Sequence, residues 1–305
     1  MTATRTAGGT EGAEEVIPPS VQTAEKVRWG RWIAAAVVLV VLVQVVLAAA
    51  VNENIEWSVV GDYLFDPQVL HGLQTTLLLA VSAEVITIVL GLLLVYARLS
   101  SNPLLRGFAG AYVWFFRSVP LIVQILLLGN LALFAPDVSV SIPFTSVVLF
   151  SQDTNDLIPA ATAAVLALAL HDAAYNAEIF RSGIGSVPEG QRRAASALGL
   201  TWWQTQRKVV LPQAFPVIIP PAASQFITLL KSTALVSVIA VPDLLTEAQT
   251  ISNRNARVME LLFVATAWFM VMVAVASLAV RWLERRSATR NRRLATKPVE
   301  VVVQP

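Results

Sequence analysis

The sequence contains no cysteine, only two histidines and few charges. Without cysteine there is no disulfide framework, no thiolate metal site and no cysteine nucleophile. His71 and His171 alone make a poor metal cage. Asp, Glu, Lys and Arg supply 14% of the 305 residues, where an ordinary soluble domain has about 25%. That scarcity excludes a disordered chain, a nucleic-acid-binding domain and a cytosolic enzyme. Enzyme motifs are missing as well: no G-x-x-x-x-G-K-[ST] loop for ATP, no H-E-x-x-H, and no G-x-S-x-G elbow. Neither a catalytic centre nor a cofactor is expected.

What the chain has instead is apolar length. The residues AVILMFWYC make up 56%, and a helix needs about 20 predominantly apolar residues to cross roughly 30 Å of hydrocarbon. Six such runs are present: Ile33 to Val51, Gly72 to Ala97, Ala109 to Phe134, Pro159 to Phe180, Ala214 to Val241 and Val258 to Val280. They exceed the 9–11 residues of a barrel strand and lack its alternation, so the fold class is an all-α integral membrane protein. Ala48-Ala49-Ala50 looks like a small-residue cleavage site. Yet a polar lead of 32 residues and 19 apolar ones are both too long for a signal peptide, so the first run reads as a span.

Charge placement sets the orientation. With a cytoplasmic N-terminus, all the Lys and Arg but Arg117, Lys231, Arg254 and Arg257 fall on the inner side. The outer loops 52–71 and 135–158 carry Asp and Glu but no Lys or Arg. Both termini are therefore expected inside, in the cell membrane. Residues 1–30 read as a disordered cytoplasmic tail, 31–52 as an additional N-terminal span, and 284–305 as a basic inner tail resting on anionic headgroups.

One loop, 181–212, has helix punctuation of its own. Ser186-Val187-Pro188-Glu189 is an S-x-x-E capping box opening a helix to Leu198, and Gly199 suits the left-handed position after it. Thr201-Trp202-Trp203-Gln204 is a second box, opening a helix expected to end before Pro212. Three readings fit this helix–turn–helix: a connector packed on its own bundle, a reader of DNA, or a docking site for a cytoplasmic partner. Tethering to lipid at both ends and four basic residues argue against DNA.

Gly190-Gln191-Arg192-Arg193-Ala194-Ala195-Ser196-Ala197-Leu198-Gly199, followed by Val209-Val210-Leu211-Pro212, resembles the signature of binding-protein-dependent ABC importer permeases. That signature reads E-A-A, three residues, G, nine residues, I, one residue, L-P. The spacing from Ala194 to Pro212 matches throughout, with Val209 in the Ile place and Arg193 in place of Glu. Flanking stretches resemble the polar amino-acid branch: Gly72 to Leu77, Phe116 to Gln124, Ala174 to Arg181 and Leu229 to Ile239. The chain departs from that branch at Phe215-Pro216, Ser224 and Ser232-Thr233-Ala234. The resemblance implies a type I permease bundle over 70–283, with 181–212 as the loop coupled to an ATPase. Gly190, Gln191, Arg193, Ala194, Ala195, Gly199, Leu211 and Pro212 would be its working residues. It also implies two cytoplasmic ATPase subunits, a second permease subunit (identical or homologous), an extracytoplasmic solute-binding protein and a polar or charged amino acid as solute.

Charged groups within spans are costly and therefore candidates for function. Glu84, Arg117, Asp172 and Lys231 lie in the second to fifth runs, with Gln124 and Gln225 as possible hydrogen-bonding partners for a solute. In one reading they line a path, Arg117 or Lys231 meeting a carboxylate and Glu84 or Asp172 an ammonium. In the other, the four ions pair with each other and hold the helices in register, and the glutamines act as interhelical glue. Glu178 and Arg181 read as supports for the loop. An ion-coupled transporter or channel using the same four charges is the alternative function; it predicts internal repeats, which are not evident.

Overall fold

The computed structural model describes residues 29–53, 55–141 and 148–295. The disordered tail expected at 1–30 lies almost wholly outside these, as does the end of the basic tail. Helix α1 (Trp29–Ala50) belongs to a unit of its own ending at Ile55. From Trp32 onward it is apolar on all sides, with Gln44 the only strongly polar side chain, as befits a helix surrounded by lipid; Arg31 lies in its first turn.

The second unit opens with the short α2 (Trp57–Leu64) and the 33-residue α3 (Pro67–Leu99), about 50 Å long at 1.5 Å per residue. Asp66 caps α3 by accepting from the Gln68 amide, and Pro67 occupies the first turn, where no N–H is needed. Next come α4 (Pro103–Ser118), α5 (Leu121–Gly129) and the single turn α6 (Leu131–Phe134). An antiparallel ribbon of β1 (Asp137–Ser141) and β2 (Val148–Asp153) follows, then the turn α7 (Thr154–Leu157) and the long α8 (Ala160–Gly185). The remainder is α9 (Glu189–Ala197), α10 (Trp202–Thr205), α11 (Leu211–Ser232), α12 (Leu244–Asn255) and α13 (Val258–Ala295).

Helix α8 is the centre of this unit. Ala163, Ala164, Ala167, Ala169, Ala173, Ala174 and Ala177 are all at most 1% exposed, and their small side chains let four other helices approach closely. Helices α3 and α8 run parallel: Thr87 donates to the Ala169 carbonyl, Gly91 meets Asn176 and Phe180, and Val95 packs on Ile184. Helix α11 runs antiparallel to α8, with Gly183 against Ile218 and Gln225 against Asp172. Because α3 and α8 are parallel, the chain between them must travel back along the bundle. Helices α4 and α5 make most of that return.

The structure departs from the expectations in three places. Only four helical stretches are long and apolar enough to span a membrane among the described residues: Trp29–Ala48, Pro67–Leu99, Trp202–Ile239 and Val258–Arg285. The third expected span is broken, α4 and α5 meeting at 101°, and counts as a fifth crossing only as a pair. Pro120 lies in the break, where it cannot donate to the helix. Helix α8 has the length but not the apolarity, since His171, Asp172, Asn176, Glu178 and Arg181 sit on a helix sheathed by others rather than by lipid. The third concerns Pro212. The helix from Trp202 does not stop there: it widens into a π-turn at Gln206–Val210 and continues as α11 into a 3₁₀ stretch ending at Ile239. The wide turn accommodates a residue with no N–H. The loop 135–158 also holds the unforeseen ribbon, and α13 runs well into the expected basic tail.

At the end where α3 begins, α12 lies against it closely enough that a Cβ on Gly72 would sit 2.9 Å from the Asp243 carbonyl oxygen. The Leu244 amide donates to Thr76 Oγ1, and Gln68 Nε2 donates to Glu247. Asp243 caps α12 through Oδ1, which accepts from the Thr246 amide and hydroxyl. Its Oδ2 is buried without a partner. Burial pushes the Asp243 carboxyl above its ordinary range, against the downward pull of the bonds from Thr246.

Gly72→Val should therefore lift α12 from α3, lowering thermal stability in detergent by on the order of 1–3 kcal/mol. Gly107→Ala, whose new Cβ meets nothing within 4 Å inside α4, should not lower it. A folded state that binds the Asp243 proton more tightly than the unfolded chain loses stability as pH rises from the ordinary carboxylate range through the raised value. Asp243→Asn, which keeps the capping oxygen, should flatten the dependence of melting temperature on pH over that window.

Candidate functional site

The residues 181–212 form a paired-helix knob at the end of the bundle where α3 and α8 finish. Its entry differs from expectation. Ser186 does not open α9; it closes α8, donating its hydroxyl to the Gly183 carbonyl, and Pro188 starts α9 with no side-chain cap. The exit from α9 is as expected. Gly199 has φ +75°, its amide donates to Ser196, and the Leu200 amide donates to Ala195. These two bonds satisfy carbonyls that would otherwise be orphaned at the helix end. The Thr201 box is present in both directions, Thr201 Oγ1 accepting from the Gln204 amide and Gln204 Oε1 from the Thr201 amide.

A small apolar core fixes the knob to the bundle: Val187, Val210 and Ala214 pack with Val95, Phe180 and Ile184. Tyr96 of α3 adds an edge contact to Trp202 and a tilted one to Trp203. Ala195 is buried inside the knob, and Leu211 and Pro212 are half-buried at the head of α11. Gly190, Gln191, Arg193 and Ala194 face outward, and Leu198 is 81% exposed. Arg193 pairs with Glu189 at 2.8 Å, one turn back on the same exposed face. The outward face of α9 thus sets the small Gly190 and Ala194 beside Gln191 and the Arg193–Glu189 pair, and Leu198 protrudes at its end. Beside it, Glu178 holds both Arg98 of α3 and Arg181, clamping the ends of α3 and α8.

Within the bundle, none of Glu84, Arg117, Asp172 and Lys231 makes an ion pair among the described residues, so the four do not brace one another. Arg117 turns over the Tyr175 ring, 5.0 Å from its centroid, and lines an open cleft of about 380 Å³ with Arg98, Trp114, Ser118 and Glu178. Lys231 is exposed in the last turn of α11. Glu84 lies on α3 and Asp172 on α8, two helices packed along each other. Gln225 Nε2 donates to Asp172 Oδ1 at 3.2 Å, while Asp172 Oδ2 and Glu84 Oε2 are buried without partners. His171 points the other way, its Nδ1 3.1 Å from Gln124 Nε2. Gln124 Nε2 also donates to the Phe116 and Val119 carbonyls, which the break between α4 and α5 leaves exposed. Asn176, fully buried and unpartnered, was not singled out from the sequence, although its position one turn after Asp172 puts it on the same face.

The family of binding-protein-dependent transport system inner membrane components matches residues 87–289. The chain belongs to this family. It is a multi-pass permease subunit of an ABC importer rather than an enzyme, and the ATPase of such a system is a separate subunit. Family membership also decides against the ion-coupled alternative. The arginine transport system permease protein ArgU of Corynebacterium glutamicum is 34% identical over 277 residues, spanning 90% of this chain and 85% of its own. The glutamate/aspartate import permease protein GltK of Escherichia coli O157:H7 is 38% identical over 233 residues, 76% of this chain and 98% of its own. A crystal structure of an amino acid ABC transporter with histidines superposes on the permease with a TM-score of 0.62 at 34% identity, covering 73% of this chain and 95% of that one. The type I permease architecture is thus established.

The permease depends on Gln124 to satisfy its broken crossing. Gln124→Leu should lower detergent thermal stability by about 1–3 kcal/mol, the range for buried groups stripped of partners. A variant that melts normally and shows only a raised transport KM would instead place Gln124 on the solute.

Proposed function

We propose that this permease carries a polar or charged amino acid inward, working with a second permease subunit, identical or homologous, two cytoplasmic ATPases and an extracytoplasmic solute-binding protein. Both termini lie in the cytoplasm, α8 is a true crossing despite its polar residues, and 181–212 is the coupling knob. The observation that carries this reading is the knob itself: a preformed helix pair with small outward residues, joined without interruption to α11. The arginine, glutamate/aspartate and glutamine permeases among the relatives support an amino acid as the solute.

Mechanically, closure of the ATPases pushes on Gly190, Gln191, Ala194 and the exposed rim around them. The core of Val187, Val210 and Ala214 makes the knob a lever rather than a soft loop, and the helical run Trp202–Ile239 transmits its displacement to the level of Gln225 and Asp172. The spans then switch between inward- and outward-facing states, the bistable element that coupling requires. Arg193, where the family signature has Glu, is neutralised by Glu189, so the face it presents is close to uncharged.

Ala195→Trp, which forces the knob apart from inside, and Gly199→Val, which puts a β-branched residue at positive φ, should each reduce uptake about tenfold or more while ATP hydrolysis continues. Uptake in proteoliposomes and phosphate release are measured on the same preparation. Undiminished uptake by both variants removes the coupling role.

A further inference from the structure

We propose that Glu84 and Asp172 receive the cationic side chain of the transported solute, which makes the cargo a basic amino acid. This rests on the reading of the chain as an amino-acid permease and adds the sign of the cargo's charge.

The two carboxyl groups sit across the α3–α8 seam, close enough for their charges to act on one another. Asp172 is 4% exposed, and Gln225 satisfies only one of its oxygens. Glu84 is partly exposed, yet its Oε2 is buried and empty-handed. Buried carboxylates normally find a cation of the protein, and here neither has one within ion-pair distance among the described residues. Arg117 lies on Tyr175, Arg98 is taken by Glu178, and Lys231 makes no ion pair among the described residues.

A further observation points to a missing guest. Asn176, one turn along the same face of α8, is completely buried, and neither its amide nitrogen nor its carbonyl oxygen has a partner. It faces α3 at Gly91, where the added Cβ of any other residue would lie 3.2 Å from Asn176 Cβ. Glu84 Oε2 on α3 and Asp172 Oδ2 and Asn176 Oδ1 on α8 are therefore three unused acceptors along these two packed helices, with Gln225 already fixing Asp172 in place. A guanidinium, planar and with five donors, or an ammonium with three, matches that set. An acidic solute would add a third negative charge to a pair without a counter-ion, in surroundings where like charges repel far more than in water. Glu84 is the accessible member and meets the cation first.

The test uses the complete transporter, with ATPases and binding protein, in proteoliposomes. Uptake of labelled L-arginine, L-lysine, L-glutamine and L-glutamate is compared for wild type, Glu84→Gln, Asp172→Asn and Glu84→Asp. Arginine and lysine should be carried. Each neutral variant should lose about tenfold in arginine uptake, and Glu84→Asp should retain most of it. Equilibrium binding of L-arginine to the monodisperse detergent-solubilised transporter, without binding protein, gives a second readout. Its Kd should rise about tenfold in Glu84→Gln and little in Glu84→Asp. Transport of glutamate or glutamine with arginine and lysine excluded overturns the basic cargo but leaves the importer reading intact. So does wild-type arginine uptake and binding by both neutral variants. A wild-type transporter that moves no amino acid at all overturns both.

Discussion

Polar groups buried in a lipid bilayer have no water to fall back on, and this constraint organises the molecule around α8. A helix carrying His171, Asp172, Asn176, Glu178 and Arg181 survives there only if other helices surround it. The alanines spaced along it make that possible, because association in lipid relies on close packing and on hydrogen bonds rather than on exclusion of water. Gly91 on α3 and Gly183 on α8 mark close approaches around it, against Asn176 and Ile218. Every contact of the candidate site, from Glu84 to Gln225, is set by the spacing of helices around this one element.

The irregularities of the chain have local causes and local remedies. Pro120 breaks the path between α4 and α5, and Gln124 gathers the carbonyls thus released. Pro212 follows a π-turn, and Pro216, Pro220 and Pro221 recur within α11 while neighbours on α8 and α13 support it. Neither device ends the helical run from the knob. Continuity from Trp202 to Ile239 gives the knob a stiff connection to the seam, and the Glu178 clamp with Arg98 and Arg181 keeps the ends of α3 and α8 together beside it.

Parts of this were legible from residue type alone. Gly199 and the Thr201–Gln204 box had one local solution each, and the structure adopts both. Ser186 had two, since a serine followed by Val-Pro-Glu can open one helix or close another; packing of Val187 into the knob core favours closing α8. Helix α12 was illegible because Ala240 and Ala256 take the left-handed conformation before and after it, at φ 56° and 58°, positions where a helix end usually advertises itself with glycine. The ribbon at 137–153 was hidden for another reason: its strands are short, and a connector and a hairpin look alike without a turn signal.

Hydrophobic length and the spacing of one loop were enough to read a membrane permease of this family, because each depends only on the order of residues along the chain. Which charges face each other depended on the rotation of helices about their axes, and that is settled by packing between segments far apart in sequence. Only the tertiary structure therefore decided that Glu84 and Asp172 have no ion-pair partner among the described residues, that Arg117 turns to Tyr175, and that Gln124 serves the backbone at the break between α4 and α5.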